Sequence, residues 1–310
     1  MKLKDRKKIL IGPSSFGDSD RTPLHYLVKS GYEVIDNPFK RRLKKHELFD
    51  LLEEGVVGLI AGLEPLDKEV MQKSNLKVIS RCGSGMSNVD VDAAKGLGIQ
   101  VYSTPDAPTT AVAEVTVGAL LSILRFVPQM NQDMHQYKWN KHIGKQLQGK
   151  YVAIIGYGRI GQRVGQILHA FNAEVAAVDP ILSGNKSNVP VIGFEEALAR
   201  ADIFLLHCSG DSPLFGDREF GLMKKGVYLI NAARGGLVDE EAFVKALDRG
   251  QIAGAWLDTF DQEPYSGPLC QYEQVLLTPH IGSYTVECRR QMELEAVNNL
   301  IKGFEELEGV

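Results

Sequence analysis

The sequence has little of several features, and each shortage argues against a class of protein. Only four cysteines occur in 310 residues. They form no CxxC pair and no metal-ligand spacing, so we expect reduced thiols in a cytoplasmic protein and no metal. No window reaches the ~18 apolar residues of a membrane helix, and the basic start MKLKDRKKIL precedes too short an apolar run for a secretory signal. The net charge of −4 favours neither nucleic acid nor membrane as a partner.

Apolar segments alternate with helical patterns along two stretches of the chain. Five short segments in the first hundred residues, rich in Val and Ile, are typical of strands, and helical patterns that mostly end in glycine separate them. A second series begins at GKYVAIIG and continues to about Pro279. This alternation predicts parallel sheets with helices on both faces. We therefore expect an α/β protein of two doubly wound parallel-sheet domains, one flavodoxin-like and one Rossmann, with a deep cleft between them.

The boundary between the two series lies near two prolines. Pro105 and Pro108 interrupt the pattern, and a long apolar helix is predicted at about 109–127. This helix is too apolar to lie alone on a surface, so we expect it between the domains or against a second subunit. The last segment is helical and should pack on the first domain. The predicted domains are thus residues 1–103 with 285–310, and residues 104–284.

A glycine-rich turn opens the second series. Gly156, Gly158 and Gly161 form GxGxxG directly after an apolar strand and at the start of a helical pattern, the context in which this motif indicates a dinucleotide site. A helix N-terminus offers free N–H groups to phosphates. Asp179 ends the next strand, and a carboxylate there accepts hydrogen bonds from ribose hydroxyls and repels a 2′-phosphate. The pattern predicts NAD rather than NADP as cofactor.

Ligands of such sheets gather at the carboxyl ends of the strands. The segments that follow the later strands are therefore candidates to line one crevice: His207–Cys208, Ala232–Arg234, Asp258 and His280. The planar guanidinium of Arg234 suits a bidentate grip on a carboxylate.

A carboxylate and an imidazole in this region suggest acid–base chemistry. Glu263 before a proline is common in ordinary turns, and His280 alone would more often be structural. Together they can form a pair in which the acid orients the imidazole and stabilises its cation. Such an imidazole can protonate a carbonyl oxygen as hydride arrives, and it can accept the hydroxyl proton in the reverse direction.

Seven motifs, in order along nearly the whole chain, carry a resemblance to a known family: RCGSGMSNVD, VAEVTVGALL, GYGRIG, VDP, LINAARGGLVDE, WLDTFDQEP and TPHIGS. The chain resembles the D-isomer-specific 2-hydroxyacid dehydrogenases, in their phosphoglycerate dehydrogenase-like branch. The resemblance implies that the first domain binds substrate, the second binds NAD, and the region after residue 103, with the helix at about 109–127, forms a homodimer.

The resemblance also assigns roles to residues. It implies a catalytic set of Arg234, Glu263 and His280. Backbone N–H groups of Ser84 and Gly85 would bind the substrate carboxylate, with Arg234 and His280 also contacting substrate. The implied NAD contacts, together with those from the motif itself, are Gly156, Gly158, Arg159, Ile160, Gly161, Asp179, His207, Cys208, Ala232, Arg234, Asp258, His280, Gly282 and Ser283.

The chain departs from the family pattern in three places. Ser87 replaces an aspartate that is frequent in the loop of Ser84, which we expect to adjust that loop. The loop after the third strand carries Glu64 where phosphoglycerate-specific relatives tend to have a basic residue, and an acid is unfavourable near a phosphate. Because the sequence stops at Val310, we expect it to lack the regulatory domain of longer relatives.

Three functions fit these observations to different degrees. The leading hypothesis is an NAD-dependent D-2-hydroxyacid dehydrogenase acting on 3-phosphoglycerate, glycerate/hydroxypyruvate, glyoxylate or D-lactate. The second is a protein that binds NAD(H) as a sensor, like a corepressor, since fold alone does not fix function. The third is an oxidant of formate or phosphite, which would use His280 differently. The catalytic set favours the first.

Overall fold

A computed structural model describes residues 6–182, 187–210 and 212–309. The chain divides into two compact units. Unit 1 comprises Met1–Pro108 and Tyr284–Val310, and unit 2 comprises Thr109–Ser283. The sequence predicted boundaries at 103/104 and 284/285, and the structure divides the chain at 108/109 and 283/284.

Unit 1 contains a parallel five-stranded sheet in the order β2-β1-β3-β4-β5, which confirms the flavodoxin-like arrangement. Its strands are β1 (Lys8–Ile11), β2 (Glu33–Ile35), β3 (Val56–Ala61), β4 (Val78–Arg81) and β5 (Gln100–Ser103). Its helices are α1 (Thr22–Lys29), α2 (Lys45–Leu52), α3 (Lys68–Gln72), α4 (Val91–Gly96) and, at the C-terminus, α11 (Val286–Glu308).

Both faces of this sheet are covered, as the continuous apolar strands predicted. Successive strand residues point to opposite faces. Leu10 therefore packs in the cluster under α2, α3 and α4, whereas Ile9 and Ile11 pack against α11. The last helix contributes Leu300 and Phe304 to that second cluster.

Unit 2 contains a parallel six-stranded sheet in the order β11-β10-β9-β8-β6-β7. A parallel bridge between Ala177 and Val191 extends it beyond β7. The strands are β6 (Tyr151–Ile155), β7 (Glu174–Val178), β8 (Ile203–Leu206), β9 (Val227–Asn231), β10 (Ile252–Leu257) and β11 (Val275–Leu277). The helices are α5 (Pro108–Leu124), α6 (Val127–His135), α7 (Arg159–Ala170), α8 (Phe194–Arg200), α9 (Asp217–Leu222) and α10 (Glu240–Asp248), with short 3₁₀ helices at Gly235–Leu237 and Pro268–Gln271.

The apolar helix predicted at about 109–127 differs from the expectation in two ways. It ends at Leu124, because Phe126 takes a left-handed conformation (φ 53°) and a new helix, α6, begins at Val127 with Pro128 in its first turn, where the missing N–H costs nothing. One side of α5, including Val117 and Leu120, packs on the sheet of its own unit. This side of α5 is thus buried within its own unit, whereas the sequence suggested burial between the domains or against a second subunit.

Within the described residues, no single helix meets the length and hydropathy of a membrane span. The pair α5 and α6, bent by 67°, reaches those values together by length and composition alone.

Candidate active site

The glycine-rich turn joins β6 to α7. Gly156 has a positive φ of 89°, and a Cβ there would lie 2.5 Å from the backbone nitrogen of Cys208. A Cβ on Gly161 would lie 2.3 Å from the carbonyl oxygen of Gly156, so the helix and the turn approach each other as closely as their backbones allow. Gly158 precedes the first helical residue and has open space around its Cα. The cradle fits a pyrophosphate, with Arg159 and Ile160 in the first turn of α7.

Asp179 follows β7 and lies beside this turn. One carboxylate oxygen accepts the backbone N–H of Tyr157 at 2.9 Å, and the other accepts the N–H of Ile181 at 2.9 Å. These bonds fix the partly exposed carboxylate next to the glycine turn. This is where a ribose would lie if the pyrophosphate occupied the turn.

His207 and Cys208 follow β8 and underlie Gly156. Burial lowers the pKa of His207 to about 4, so its ring is neutral at pH 7. Neither of its ring nitrogens has a hydrogen-bond partner among the residues that the structure describes. Burial likewise raises the pKa of the Cys208 thiol. This floor of the cradle is uncharged, so the attraction of phosphates must come from the N-terminus of α7 and from Arg159 in its first turn.

Arg234 is held in place by the last residue of β9. The side chain of Asn231 accepts the N–H of Ala233 at 3.0 Å and donates to the carbonyl oxygen of Arg234 at 2.8 Å. These bonds form the turn that includes Ala232 and leave the Arg234 side chain partly exposed. A Cβ on the next residue, Gly235, would lie 2.0 Å from the backbone of Phe260. The segment carrying Arg234 is thus packed against the segment that leads to Glu263.

Glu263 and His280 meet in the structure. Nδ1 of His280 lies 3.1 and 3.2 Å from the two carboxylate oxygens of Glu263. The carboxylate is itself held by the backbone N–H of Phe260 at 3.1 Å. The side chains are 34% and 24% exposed, respectively, so the pair is partly shielded from water yet open to a small molecule. With Nδ1 engaged, Nε2 is the nitrogen that can exchange a proton with a substrate.

Asp258 follows β10 and is almost fully buried. Its carboxylate accepts three hydrogen bonds, from the hydroxyl of Thr278 and from the backbone N–H groups of Ile281 and Gly282. Burial nevertheless raises the pKa of this carboxyl group. Because Ile281 binds one carboxylate oxygen and Gly282 binds the other, both oxygens face the loop of His280. The NAD contacts that the resemblance implies for Asp258, Gly282 and Ser283 stay predictions.

Ser84 and Gly85 lie in unit 1, in the loop after β4. Ser84 is exposed and Gly85 half-buried. The preceding Gly83 has φ 140° and donates its N–H to Thr104 at 2.7 Å. The loop therefore presents its Ser84–Gly85 side to the exterior, as a carboxylate-binding loop requires.

Glu64 does not point where the sequence suggested. Its side chain is 1% exposed, accepts the N–H of Gly62 at 2.8 Å and fills the space beside Gly12. Burial raises its pKa. An inward carboxylate cannot repel a phosphate as directly as an exposed one would, so this argument against a phosphorylated substrate is weaker than the sequence implied.

Sequence reasoning missed Asn231, Thr278 and Trp256. Asn231 left one signal, since it is the polar end of an otherwise apolar strand. The other two stand in the motifs WLDTFDQEP and TPHIGS, but a threonine or tryptophan at a strand end is ordinary, so no role was inferred for either. In the described ranges, no group of three or more His, Cys, Asp or Glu side chains could hold a metal ion.

Residues 117–282 match the profile described as the NAD-binding domain of the D-isomer specific 2-hydroxyacid dehydrogenases. The chain belongs to this family. It is 33% identical to the D-3-phosphoglycerate dehydrogenase of Archaeoglobus fulgidus over 90% of the chain, and it spans 55% of that protein.

Solved structures of about the same length as this chain share its architecture. The TT0316 protein of Thermus thermophilus is 34% identical with a TM-score of 0.88, over 96% of this chain and 97% of that one. A glyoxylate reductase from Paecilomyes thermophila is 28% identical with a TM-score of 0.87, over 98% and 97%. The family assignment makes NAD the cofactor to which the glycine cradle and Asp179 are fitted.

Proposed function

We propose that the protein is an NAD-dependent D-2-hydroxyacid dehydrogenase, which interconverts a 2-keto acid and the D-2-hydroxy acid. The observation that supports this most is the bond between His280 and Glu263 in the same unit as Arg234 and the glycine cradle. A catalytic imidazole needs such an orienting acid. NADH supplies the hydride when it is bound.

Each of the three side chains has one task. The guanidinium of Arg234 binds the substrate carboxylate and fixes the keto group relative to the imidazole. As the carbonyl carbon accepts hydride, Nε2 of His280 transfers its proton to the carbonyl oxygen, which becomes the hydroxyl. Glu263 holds the ring through Nδ1 and stabilises the imidazolium before transfer. In oxidation, neutral His280 accepts the hydroxyl proton instead.

The three side chains indicate the substrate class, but they do not indicate which group the substrate carries beyond its keto acid. Arg234 and His280 recognise a carboxylate next to a carbonyl, and the family resemblance adds the backbone of Ser84 and Gly85. Glyoxylate, hydroxypyruvate, pyruvate and 3-phosphohydroxypyruvate all carry that group. Relatives named as phosphoglycerate dehydrogenases and a glyoxylate reductase favour this range.

The test is turnover on a panel of these four keto acids with NADH, followed by NADH absorbance. We expect at least one to oxidise NADH, and His280→Ala to lower kcat by ~10²–10⁴-fold, the usual worth of a general acid. NADH binding, measured by fluorescence, should be kept in the variant because the cradle lies on other strands.

Two results would contradict the proposal in different ways. NADH binding without turnover of any keto acid would favour a protein that senses NAD(H). Turnover that is unchanged in His280→Ala would remove this histidine from proton transfer and leave the family assignment untouched.

We further propose a homodimer in a reducing cytoplasmic compartment. Large apolar side chains are exposed in and after α6: Val127, Met134, Tyr137, Trp139 and Ile143. Exposed apolar groups of this size mark interaction sites, and the family resemblance favours a second copy as the partner. All four cysteines are unpaired, which agrees with reducing conditions.

A further inference from the structure

The loop of His280 is fixed from both sides by hydrogen bonds. Before it, the backbone N–H of His280 donates to the carbonyl oxygen of Thr278 at 2.9 Å. After it, Ile281 and Gly282 each donate a backbone N–H to Asp258 at 2.8 Å. The backbone of His280 is thus anchored to Thr278 on its N-terminal side and to Asp258 on its C-terminal side. The direction of its side chain depends on both anchors.

His280 has a left-handed backbone with φ 57°. This conformation is strained for a residue other than glycine, and it persists only where the surroundings impose it. The two N–H groups bound by Asp258 come directly after this strained position. Without these acceptors, the loop could relax to an ordinary conformation and turn the imidazole away from Glu263.

Asp258 is in turn fixed by a short relay. The indole N–H of Trp256, which is fully buried, donates to the hydroxyl oxygen of Thr278 at 2.8 Å. That leaves the hydroxyl proton of Thr278 to donate to Asp258 at 2.5 Å. Because the indole can only donate, each bond in the relay has one possible direction.

We propose that Thr278 and Asp258 are positioning residues for His280, and that Trp256 orients Thr278. The pairing of β10 with β11 places Thr278 beside Asp258, and Asp258 in turn fixes the backbone that directs the imidazole of His280. The kinetic part of this inference rests on the proposed function, but the geometric part concerns the protein alone.

Thr278→Val tests the relay, since valine keeps the shape and removes the hydroxyl. The free energy of one hydrogen bond to a charged group corresponds to a factor of about ten to a hundred in rate, so we expect kcat to fall by about that factor. KM for the keto acid should change by less than about threefold, because Arg234 is undisturbed. Thr278→Ser restores the hydroxyl and should return kcat to within about threefold of the original.

A matched control lies beside Asp258. Thr259 is 4% exposed, and its hydroxyl has no hydrogen-bond partner among the described residues. Thr259→Val therefore removes a buried hydroxyl of the same kind without touching the relay. We expect its kcat to equal that of the unaltered protein.

A second measurement needs no turnover. Ring-nitrogen NMR spectra of the protein without substrate, with His280 assigned by its loss in His280→Gln, report the tautomer of this ring. In Thr278→Val, the Nδ1–H form should lose population, because the contact of Nδ1 with Glu263 weakens.

The two measurements separate the possible failures. If no keto acid is turned over, the proposed function fails and the NMR comparison alone decides the relay. An unchanged His280 spectrum in Thr278→Val would overturn the inference. So would a kcat within twofold of the original, or an equal loss of kcat in Thr278→Ser.

Discussion

His207 shows how one buried side chain can make stability depend on pH. Its pKa of about 4 lies below the ~6.5 of an unfolded histidine, because burial disfavours the charged ring. Between these values the unfolded chain binds a proton that the folded protein does not. Stability contributed by the neutral ring is therefore complete above pH ~6.5 and is lost as the pH falls towards 4.

We predict a loss of up to about 3 kcal/mol from this residue between pH ~7.5 and ~4.5. The measurement is urea unfolding of the unaltered protein and of His207→Gln at both pH values. Between the two pH values, the free energy of unfolding should fall less in the variant than in the unaltered protein, and the difference should be that amount. Other titrating groups contribute equally to both proteins. An identical pH dependence in the two proteins would show that His207 does not carry the effect.

The chemistry-bearing residues could be predicted because their signals are local. GxGxxG is contained within six residues, and Arg234 and His280 each stand in a short motif of their own. The role of Thr278 could not be predicted, for the opposite reason. Thr278 meets Asp258 only because Leu257 of β10 pairs with Leu277 of β11, and no feature of one sequence fixes that register.

At the scale of elements, strands were predicted better than helix ends. Each strand is a short apolar segment between turn residues, so its position follows from the pattern. Phe126 and Val127, just beyond the end of α5, are still apolar, so the sequence pattern does not mark the helix end at Leu124. The left-handed residue there is set by packing.

The packing of α11 on its sheet gives a prediction at this scale. A Cβ on Gly303 would lie 2.7 Å from Val78 and 2.8 Å from the ring of Tyr102. Helix propensity alone would make Gly303→Ala stabilising by ~0.5–1 kcal/mol. Overpacking costs about 1–3 kcal/mol, so we expect net destabilisation in urea unfolding followed by circular dichroism.

Gly96 in α4 supplies the control. It is exposed, and a Cβ there would have no heavy atom within 4 Å. Gly96→Ala should therefore be neutral or stabilise by up to about 1 kcal/mol. If both alanines stabilised the protein equally, α11 would not be packed against the sheet as closely as the structure has it.

At the scale of the whole molecule, the exposed apolar segment after α6 needs an explanation. Tyr137 is 100% exposed, Ile143 97% and Trp139 75%. Side chains of this kind are seldom left in water on a monomer unless they serve an interface. Aromatic residues in particular carry much of the binding energy where two chains meet.

We therefore predict that Trp139→Ser with Ile143→Ser converts a homodimer into a monomer, measured by analytical ultracentrifugation across a range of concentrations. The matched control is Val28→Ser with Leu222→Ser, which removes two other exposed apolar side chains, 48% and 46% exposed, from α1 and α9. Because those two lie outside the segment, the control should stay dimeric. A monomer before any substitution would refute the dimer, and dissociation of both variants would mean that general surface polarity, rather than this segment, governs assembly.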